Sequence, residues 1–111
     1  MAVRTYEFEL STKGFADIID VTDKVSALLK KSGLSDGLAT VFVPGSTAGV
    51  TTVEFESGLV KDLKEAFERV APSGITYAHD ARWGDGNGFS HVRSSLLKTS
   101  LTIPFSDGSL I

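Results

Sequence analysis

The sequence lacks several features that mark whole classes of protein. It contains no cysteine, which excludes a disulfide framework, a thiolate nucleophile and every cysteine-based zinc pattern. No stretch approaches the roughly 18 apolar residues of a membrane span, and no basic flank followed by an apolar run marks a signal peptide. The basic residues are scattered except for Lys30 and Lys31, so the clustered charge of a nucleic-acid site is missing. We expect a cytoplasmic protein that binds neither nucleic acid nor membrane.

The composition suits one folded domain. The chain has 111 residues, of which 41% are hydrophobic and 23% are charged, with a net charge of -3. This length is enough for one compact unit and too short for two of ordinary size. The apolar fraction allows a core, and the charge is too low for a disordered chain. The sequence therefore predicts a single domain over residues 1–111.

Residue periodicity predicts a mixture of strands and helices. Alternating or β-branched stretches predict strands over residues 6–10, 38–43, 50–55 and 101–105, and the second is apolar on both faces, as in a covered central strand. Apolar spacing of three and four predicts a short helix that Thr22 caps and Gly33 ends, and a longer one that Ser57 caps and that ends near Ala71. The pattern indicates an α+β fold.

The last third of the chain is less regular. Residues 81–90 are rich in glycine and polar residues and predict a structured loop, and residues 91–97 fit either a short helix or an irregular turn. Asp107 and Gly108 are a strong hairpin signal, but only three residues follow them. We expect that the natural chain continues, or that another chain pairs with the final strand.

The only two histidines, His79 and His91, flank the glycine-rich loop. Histidine nitrogens with the oxygens of Asp80 and Asp85 are the ligand set of a borderline metal such as Zn²⁺, and the same groups act as general acids and bases. Gly86 and its neighbours allow a close backbone approach to a phosphate. The alternative interpretation is that the loop is ordinary turn chemistry, with histidines at the surface or satisfied in a core.

Three further features have two interpretations each. Ser46 and Thr47 follow the apolar strand between glycines, where they either bind an anion such as phosphate or form a tight strand-to-strand connection. Glu54 and Glu56 share one strand face, which is either a carboxylate pair or a solvated surface. Trp83 is either a lid that stacks on an aromatic ligand or an anchor that packs the loop down, and anchoring is the simpler interpretation.

A series of motifs resembles the YjbQ-like family, whose members are described as secondary thiamine-phosphate synthases. The resemblance implies a mixed, mainly antiparallel β-sandwich with two or three flanking helices, assembled as a homotrimer with sites near subunit boundaries. It covers nearly the whole chain and is tightest over residues 84–97. The motifs are Val43-Pro44 with Thr47-Ala48-Gly49, Val60-Lys61-Asp62-Leu63, Tyr77-x-His79-Asp80, Gly84-Asp85-Gly86-Asn87-x-x-x-His91 and Ser95-Leu96-Leu97.

The resemblance also implies a chemistry, the joining of a pyrimidine diphosphate to a thiazole phosphate with release of pyrophosphate. A divalent metal, Zn²⁺ or Mg²⁺, would screen the diphosphate, and a histidine would protonate or bind the leaving group. The resemblance supplies the substrates, and the polar cluster comes from the residues themselves. In this scheme the candidate catalytic residues are His79, His91 and Asp85, the substrate-binding residues are Ser46, Thr47, Gly86 and Asn87, and the candidate metal ligands are His79, His91 and Asp80, with Asp85 assisting.

The chain departs from the family pattern at two places. The family commonly has a histidine and two threonines after the Val-Pro pair, where this chain has Gly45, Ser46 and Thr47. If that histidine is a third metal ligand in the family, this chain lacks it. The family's Gly-Thr-Trp-Gln segment after the hairpin is also absent, and we expect a domain that is truncated at its C-terminus. Two alternative functions remain open, a non-catalytic module that binds a metal or a phosphometabolite and a metal-dependent phosphohydrolase.

Overall fold

The structure, a computed structural model, describes residues 1–111 and has a mixed α+β composition. By internal packing the chain forms two compact units, residues 1–41 with 102–111 and residues 42–101. None of the helices is long and apolar enough to cross a membrane. The elements in chain order are α1 (Thr22–Ser32), β1 (Gly37–Phe42), α2 (Ser57–Val70), α3 (Ala78–Trp83), α4 (Gly88–Leu97), β2 (Ser100–Ser106) and β3 (Ser109–Leu110).

The strands form one sheet in the order β1-β2-β3. Phe105 pairs with Leu110 and Ser106 with Ser109 in an antiparallel hairpin, which confirms the turn predicted at Asp107 and Gly108. Strands β1 and β2 are antiparallel as well, because Thr40 Oγ1 lies 2.9 Å from Thr102 Oγ1 while the earlier Gly37 faces the later Phe105. The α+β class is confirmed, and a second sheet, which a sandwich requires, does not form within residues 1–111.

The first unit has a small core around α1 and the hairpin. Leu29 of α1 is 7% exposed and Phe105 of β2 is 5% exposed. Helix α1 ends at Gly33 as predicted, but it already begins at Thr22, and Val21 holds the cap position. The Thr22 N–H donates to the Asp20 carboxylate at 2.9 Å, so Asp20 supplies the oxygen that the sequence analysis assigned to Thr22.

Three strand predictions need correction. Residues 6–10 and 50–55 form no strand, although both have strand-like side chains. Alternation of apolar and polar residues shows which side chains would share a face of a strand. A strand also needs a neighbouring strand that forms hydrogen bonds with its backbone, and the sheet contains only β1 to β3. Strand β1 does form, yet it lies at the edge of the sheet, with Leu38 70% and Phe42 63% exposed, so it is not covered on both sides.

The second unit is helical, and its helix boundaries differ from the prediction. Helix α2 is capped by Glu56, whose carboxylate accepts from the Gly58 and Leu59 N–H groups at 2.8 and 2.5 Å, so the predicted Ser57 cap is wrong by one residue. The segment predicted as a loop over residues 81–90 contains the end of α3 and the start of α4. The undecided residues 91–97 are helical, as part of α4.

Candidate functional site

Helices α3 and α4 meet at a tight elbow, and the candidate site lies there. Gly84 and Gly86 in the four-residue connection have φ of 72° and 69°, a left-handed backbone that glycine adopts without steric cost. At the base of the elbow, Gly88 is buried against Tyr77, so closely that a Cβ on Gly88 would lie 2.5 Å from the Tyr77 Cβ. This close packing brings the polar residues of α3 and the connection together.

Asp80 connects α3 and α4 by hydrogen bonds to the backbone at the start of each helix. Its Oδ2 accepts from the Tyr77 N–H at 3.1 Å, which caps the start of α3, and its Oδ1 accepts from the Gly88 N–H at 2.8 Å, which ties in the start of α4. The Tyr77 N–H, then the Gly88 N–H and more weakly the charge of His79 lower the pKa of the Asp80 carboxyl. Asp80 is therefore an ionised and well-positioned carboxylate at neutral pH.

His79 lies between two carboxylates. Its Nδ1 is 3.8 Å from Asp80 Oδ1 and 3.5 Å from Asp85 Oδ1, and one ligand atom of each of the three residues lies within 4.8 Å of the other two. Ligands bound to Zn²⁺ at about 2.0–2.2 Å are themselves roughly 3–4 Å apart, so this spacing needs little adjustment to receive an ion. The three side chains can hold a divalent metal.

His91, the other histidine predicted as a candidate ligand, lies against His79. Its ring centroid is 4.3 Å from that of His79, with the planes tilted by 42°, so the two imidazoles are in contact. The three-residue group nevertheless contains Asp85 in place of His91. His91 lies beside this group, in contact with its histidine.

The connection between the helices positions Asp85. With its amide nitrogen turned toward Asp85, Asn87 donates to both carboxylate oxygens, at 3.0 and 3.3 Å. Asn87 therefore orients a candidate ligand, as outer-shell partners of metal ligands usually do. Gly86 is exposed beside it and makes no recorded hydrogen bond.

Ser46 and Thr47 are exposed, and neither makes a hydrogen bond to the histidines or carboxylates. The chain just after them is held against the end of α4, because the Ser94 hydroxyl donates to the Ala48 carbonyl and the Val50 N–H donates to the Lys98 carbonyl. The segment is not a strand-to-strand connection, since no strand follows it. Its two hydroxyls are available to solvent.

Trp83 does not anchor the loop. Its side chain is 65% exposed, and the guanidinium of Arg82 lies 5.4 Å from the centre of its ring. The anchoring interpretation of the sequence is wrong because Trp83 is the last residue of a six-residue helix, beyond which the chain turns away at Gly84. An aromatic face is thus left in solvent near the polar cluster.

Arg93 was not among the site residues predicted from the sequence, and it links α4 to the C-terminal end of α2. It is only 9% exposed, its Nε donates to the Ala71 carbonyl at 3.0 Å, and its Nη2 donates to Glu68 Oε1 at 2.7 Å. Its guanidinium also lies 4.9 Å from the Phe89 ring. The sequence contained an indication of this contact, because Phe89 and Arg93 are four residues apart and so share a helix face.

Glu68 accepts hydrogen bonds from Ser73 as well as from Arg93. The Ser73 hydroxyl donates to its carboxylate at 2.7 Å and, with Arg93, lowers the pKa of the Glu68 carboxyl. The Tyr77 hydroxyl donates to the nearby Pro72 carbonyl at 2.7 Å. The turn between α2 and α3 is therefore fastened by side chains from both sides, which fixes the start of the helix that carries His79.

Comparisons with known proteins agree with an α+β protein of this kind. A family model described as "UPF0047 protein YjbQ-like" matches residues 6–111. The chain belongs to this family, which confirms the resemblance seen in its motifs.

Relatives and solved structures show the same similarity. A "UPF0047 protein" of Methanothermobacter thermautotrophicus is 37% identical over 110 residues, which cover 99% of this chain and 76% of the relative. One from Archaeoglobus fulgidus is 35% identical, over 94% of this chain and 79% of the relative. The crystal structure of a "YbjQ-like protein of unknown function" from Sulfolobus solfataricus superposes with a TM-score of 0.85 at 27% identity, over 92% of this chain and 72% of that one.

Proposed function

We propose that His79, Asp80 and Asp85 bind a divalent metal ion and that this ion holds a phosphorylated small molecule for a transfer reaction of the thiamine-phosphate-synthase type. The observation that carries the proposal is the His79 Nδ1 atom between two carboxylate oxygens, 3.5 and 3.8 Å away. The ligand atoms of the three residues all lie within 4.8 Å of one another. Two carboxylates this close repel one another, and a cation between them removes that repulsion.

The donor set indicates the kind of metal. One imidazole nitrogen and two carboxylate oxygens suit Zn²⁺, and the oxygens also suit Mg²⁺. Three protein ligands leave coordination positions open, as in catalytic sites, and Asp85 is half exposed, with 49% of its side chain accessible. Those positions are where phosphate oxygens of a ligand would bind.

His91 is proposed as the group that protonates or binds the leaving phosphate. Support comes from its position against His79, since a donor on the neighbouring helix reaches a ligand without itself holding the ion. The bound metal would supply charge stabilisation for the departing pyrophosphate. Asp80 and Asn87 keep the ligand side chains in place through their backbone and carboxylate hydrogen bonds.

The remaining phosphate contacts are proposed for Ser46, Thr47 and the Gly86 backbone, with the Asn87 amide as an alternative donor. All except the half-buried Asn87 are exposed, so they are free to meet a charged ligand. The substrates, a pyrimidine diphosphate and a thiazole phosphate, come from the family resemblance of the motifs at residues 77–80 and 84–91.

We also propose that the chain acts as a homotrimer in which sheets of neighbouring copies complete a β-sandwich. Support comes from the apolar side chains on β1, where Leu38 and Phe42 are 70% and 63% exposed. Leu38 and Phe42 lie on the same face of β1, and apolar side chains grouped at a surface mark interaction sites. Light scattering after gel filtration tests the proposal, and a monomer at micromolar concentration would reject it.

Metal binding is tested by titrating metal-free protein with Zn²⁺, Mn²⁺ or Mg²⁺ in a calorimeter. Asp80→Asn and Asp85→Asn should each weaken binding at least about tenfold, because each removes a charged ligand. Asp62→Asn is the matched control, since Asp62 is an exposed carboxylate on α2 with no recorded partner. Equal affinity in all four proteins would reject the site.

Turnover is tested by supplying the pyrimidine diphosphate and the thiazole phosphate and measuring thiamine phosphate. His91→Gln should bind the metal normally and lose activity. Metal and substrate binding without turnover in the unmodified protein would support the non-catalytic module instead, and release of inorganic phosphate from simple phosphoesters would support a phosphohydrolase. Activity that survives both His79→Ala and His91→Ala would reject the assigned residues.

A further inference from the structure

The only tryptophan of the chain is placed where its ring meets solvent. Trp83 is 65% exposed, whereas a tryptophan is a large apolar side chain that gains free energy when it is covered. Nothing in the second unit covers it. A ring in this position is suited to contact a ligand.

Helix geometry places this ring on the same side of α3 as the metal-binding group. Trp83 follows His79 by four residues and Asp80 by three, and residues at these spacings are neighbours on one helix face. The Trp83 and His79 side chains therefore leave α3 on one face, about one helical turn apart. A ligand that reaches from the metal group along α3 meets the indole next.

Arg82 adds a charge to this surface. Its guanidinium lies 5.4 Å from the Trp83 ring centre, within the range of a cation–π contact. One guanidinium covers at most one face of an indole and leaves room for a second planar group. An arginine is charged at every physiological pH, so it also attracts a phosphate group.

We propose that Trp83 and Arg82 form a stacking surface that selects ligands with a planar aromatic ring next to the phosphate group. This inference rests on the proposed function, because it takes the phosphate to lie at the His79, Asp80 and Asp85 group. Trp83 then contacts the ring and Arg82 contacts the ring or its phosphate. The two residues determine specificity and hold no metal.

The test compares two phosphate esters of equal charge and similar size, phenyl phosphate and cyclohexyl phosphate, with Mn²⁺ present. Calorimetry gives both affinities, and since Trp83 is the only tryptophan, its fluorescence reports contact with the ring directly. Aromatic stacking predicts that phenyl phosphate binds about 2- to 10-fold more tightly than cyclohexyl phosphate. The phenyl ester should also quench the indole emission more strongly.

Three variants sharpen the test. Trp83→Leu should remove the preference for the phenyl ester and leave Mn²⁺ affinity unchanged, and Trp83→Phe should keep most of the preference because it retains an aromatic face. Arg82→Gln should weaken both esters. A Trp83→Leu protein that still prefers the phenyl ester would overturn the proposal.

The two proposals fail in distinguishable ways. If the unmodified protein binds Mn²⁺ but both esters equally, the stacking surface is wrong and the metal site stands. If it binds no metal and still prefers the phenyl ester through Trp83, the stacking surface is supported and the metal site is wrong.

Discussion

Replacing Gly88 with alanine tests whether close packing at the α3–α4 elbow builds the candidate site. The added Cβ would lie 2.5 Å from the Tyr77 Cβ and 3.0 Å from Asp80 Oδ1, and neither backbone nor Cβ can move aside alone. The two helices must separate, which lengthens the 2.8 Å hydrogen bond from the Gly88 N–H to Asp80. Stability and metal affinity should therefore fall together.

The magnitude follows from the steric conflict. Overpacking of this kind costs about 1–3 kcal/mol. For a domain near 100 residues each kcal/mol lowers the melting temperature by about 4 °C, so a decrease of about 4–12 °C is expected. Displacing a hydrogen-bond partner of a metal ligand weakens metal binding by about 10- to 100-fold.

Gly74→Ala is the matched control, because no atom lies within 4 Å of its added Cβ and its φ is outside the strained region. It should leave metal affinity unchanged and change stability by at most about 1 kcal/mol, in the stabilising direction. Thermal unfolding and Zn²⁺ titration of both variants provide the measurement. A Gly88→Ala protein that melts and binds metal like the unmodified protein would refute this account of the elbow.

Three further predictions concern the support of the two units. Arg93→Met should destabilise the protein by about 1–3 kcal/mol in urea unfolding, because it leaves the buried Ala71 carbonyl without its hydrogen-bond donor. The control Arg69→Met, on the exposed side of α2, should have little effect on stability. The difference in unfolding free energy between the unmodified protein and Glu68→Gln should be constant above the ordinary carboxyl pKa of 4.5 and should vanish as the pH falls through the lower folded-state pKa. The reason is that only the ionised carboxylate gains from the hydrogen bonds of Ser73 and Arg93. A difference that persists in strong acid would contradict this prediction. Phe105→Ala should cost about 3–5 kcal/mol, and a loss below 1 kcal/mol would show that its ring is not part of the core.

The elements that the sequence predicted correctly are those decided by local interactions. The αL end of α1 at Gly33 and the hairpin at Asp107 and Gly108 depend on backbone preferences of a few adjacent residues. Helix α2 has a continuous apolar stripe and ends where expected. The predicted strands at residues 6–10 and 50–55 did not form, because a strand depends on a partner strand whose position the local pattern does not fix.

The candidate site was also predictable from the sequence only in part. The residue types and the glycine connection around His79, Asp80 and Asp85 indicated metal or acid–base chemistry from the sequence. Their grouping did not follow from it, because whether Asp85 or His91 joins His79 depends on how α3 and α4 pack. The exposure of Trp83 was predicted wrongly, since the sequence favoured an anchor that packs the loop down and the side chain is 65% exposed.

By itself the sequence determined the α+β class, the end of α1 at Gly33, the final hairpin and the family. Each of these depends on residues that are close together in the chain or on motifs of fixed spacing. Only the tertiary structure decided that Asp80 joins two helix starts, that Asp85 turns toward His79 and that Arg93 is buried beneath them. The contacts of Asp80 depend on the close approach of α3 and α4 at Gly88, and that distance, which the absence of a side chain allows, is not encoded in any local pattern.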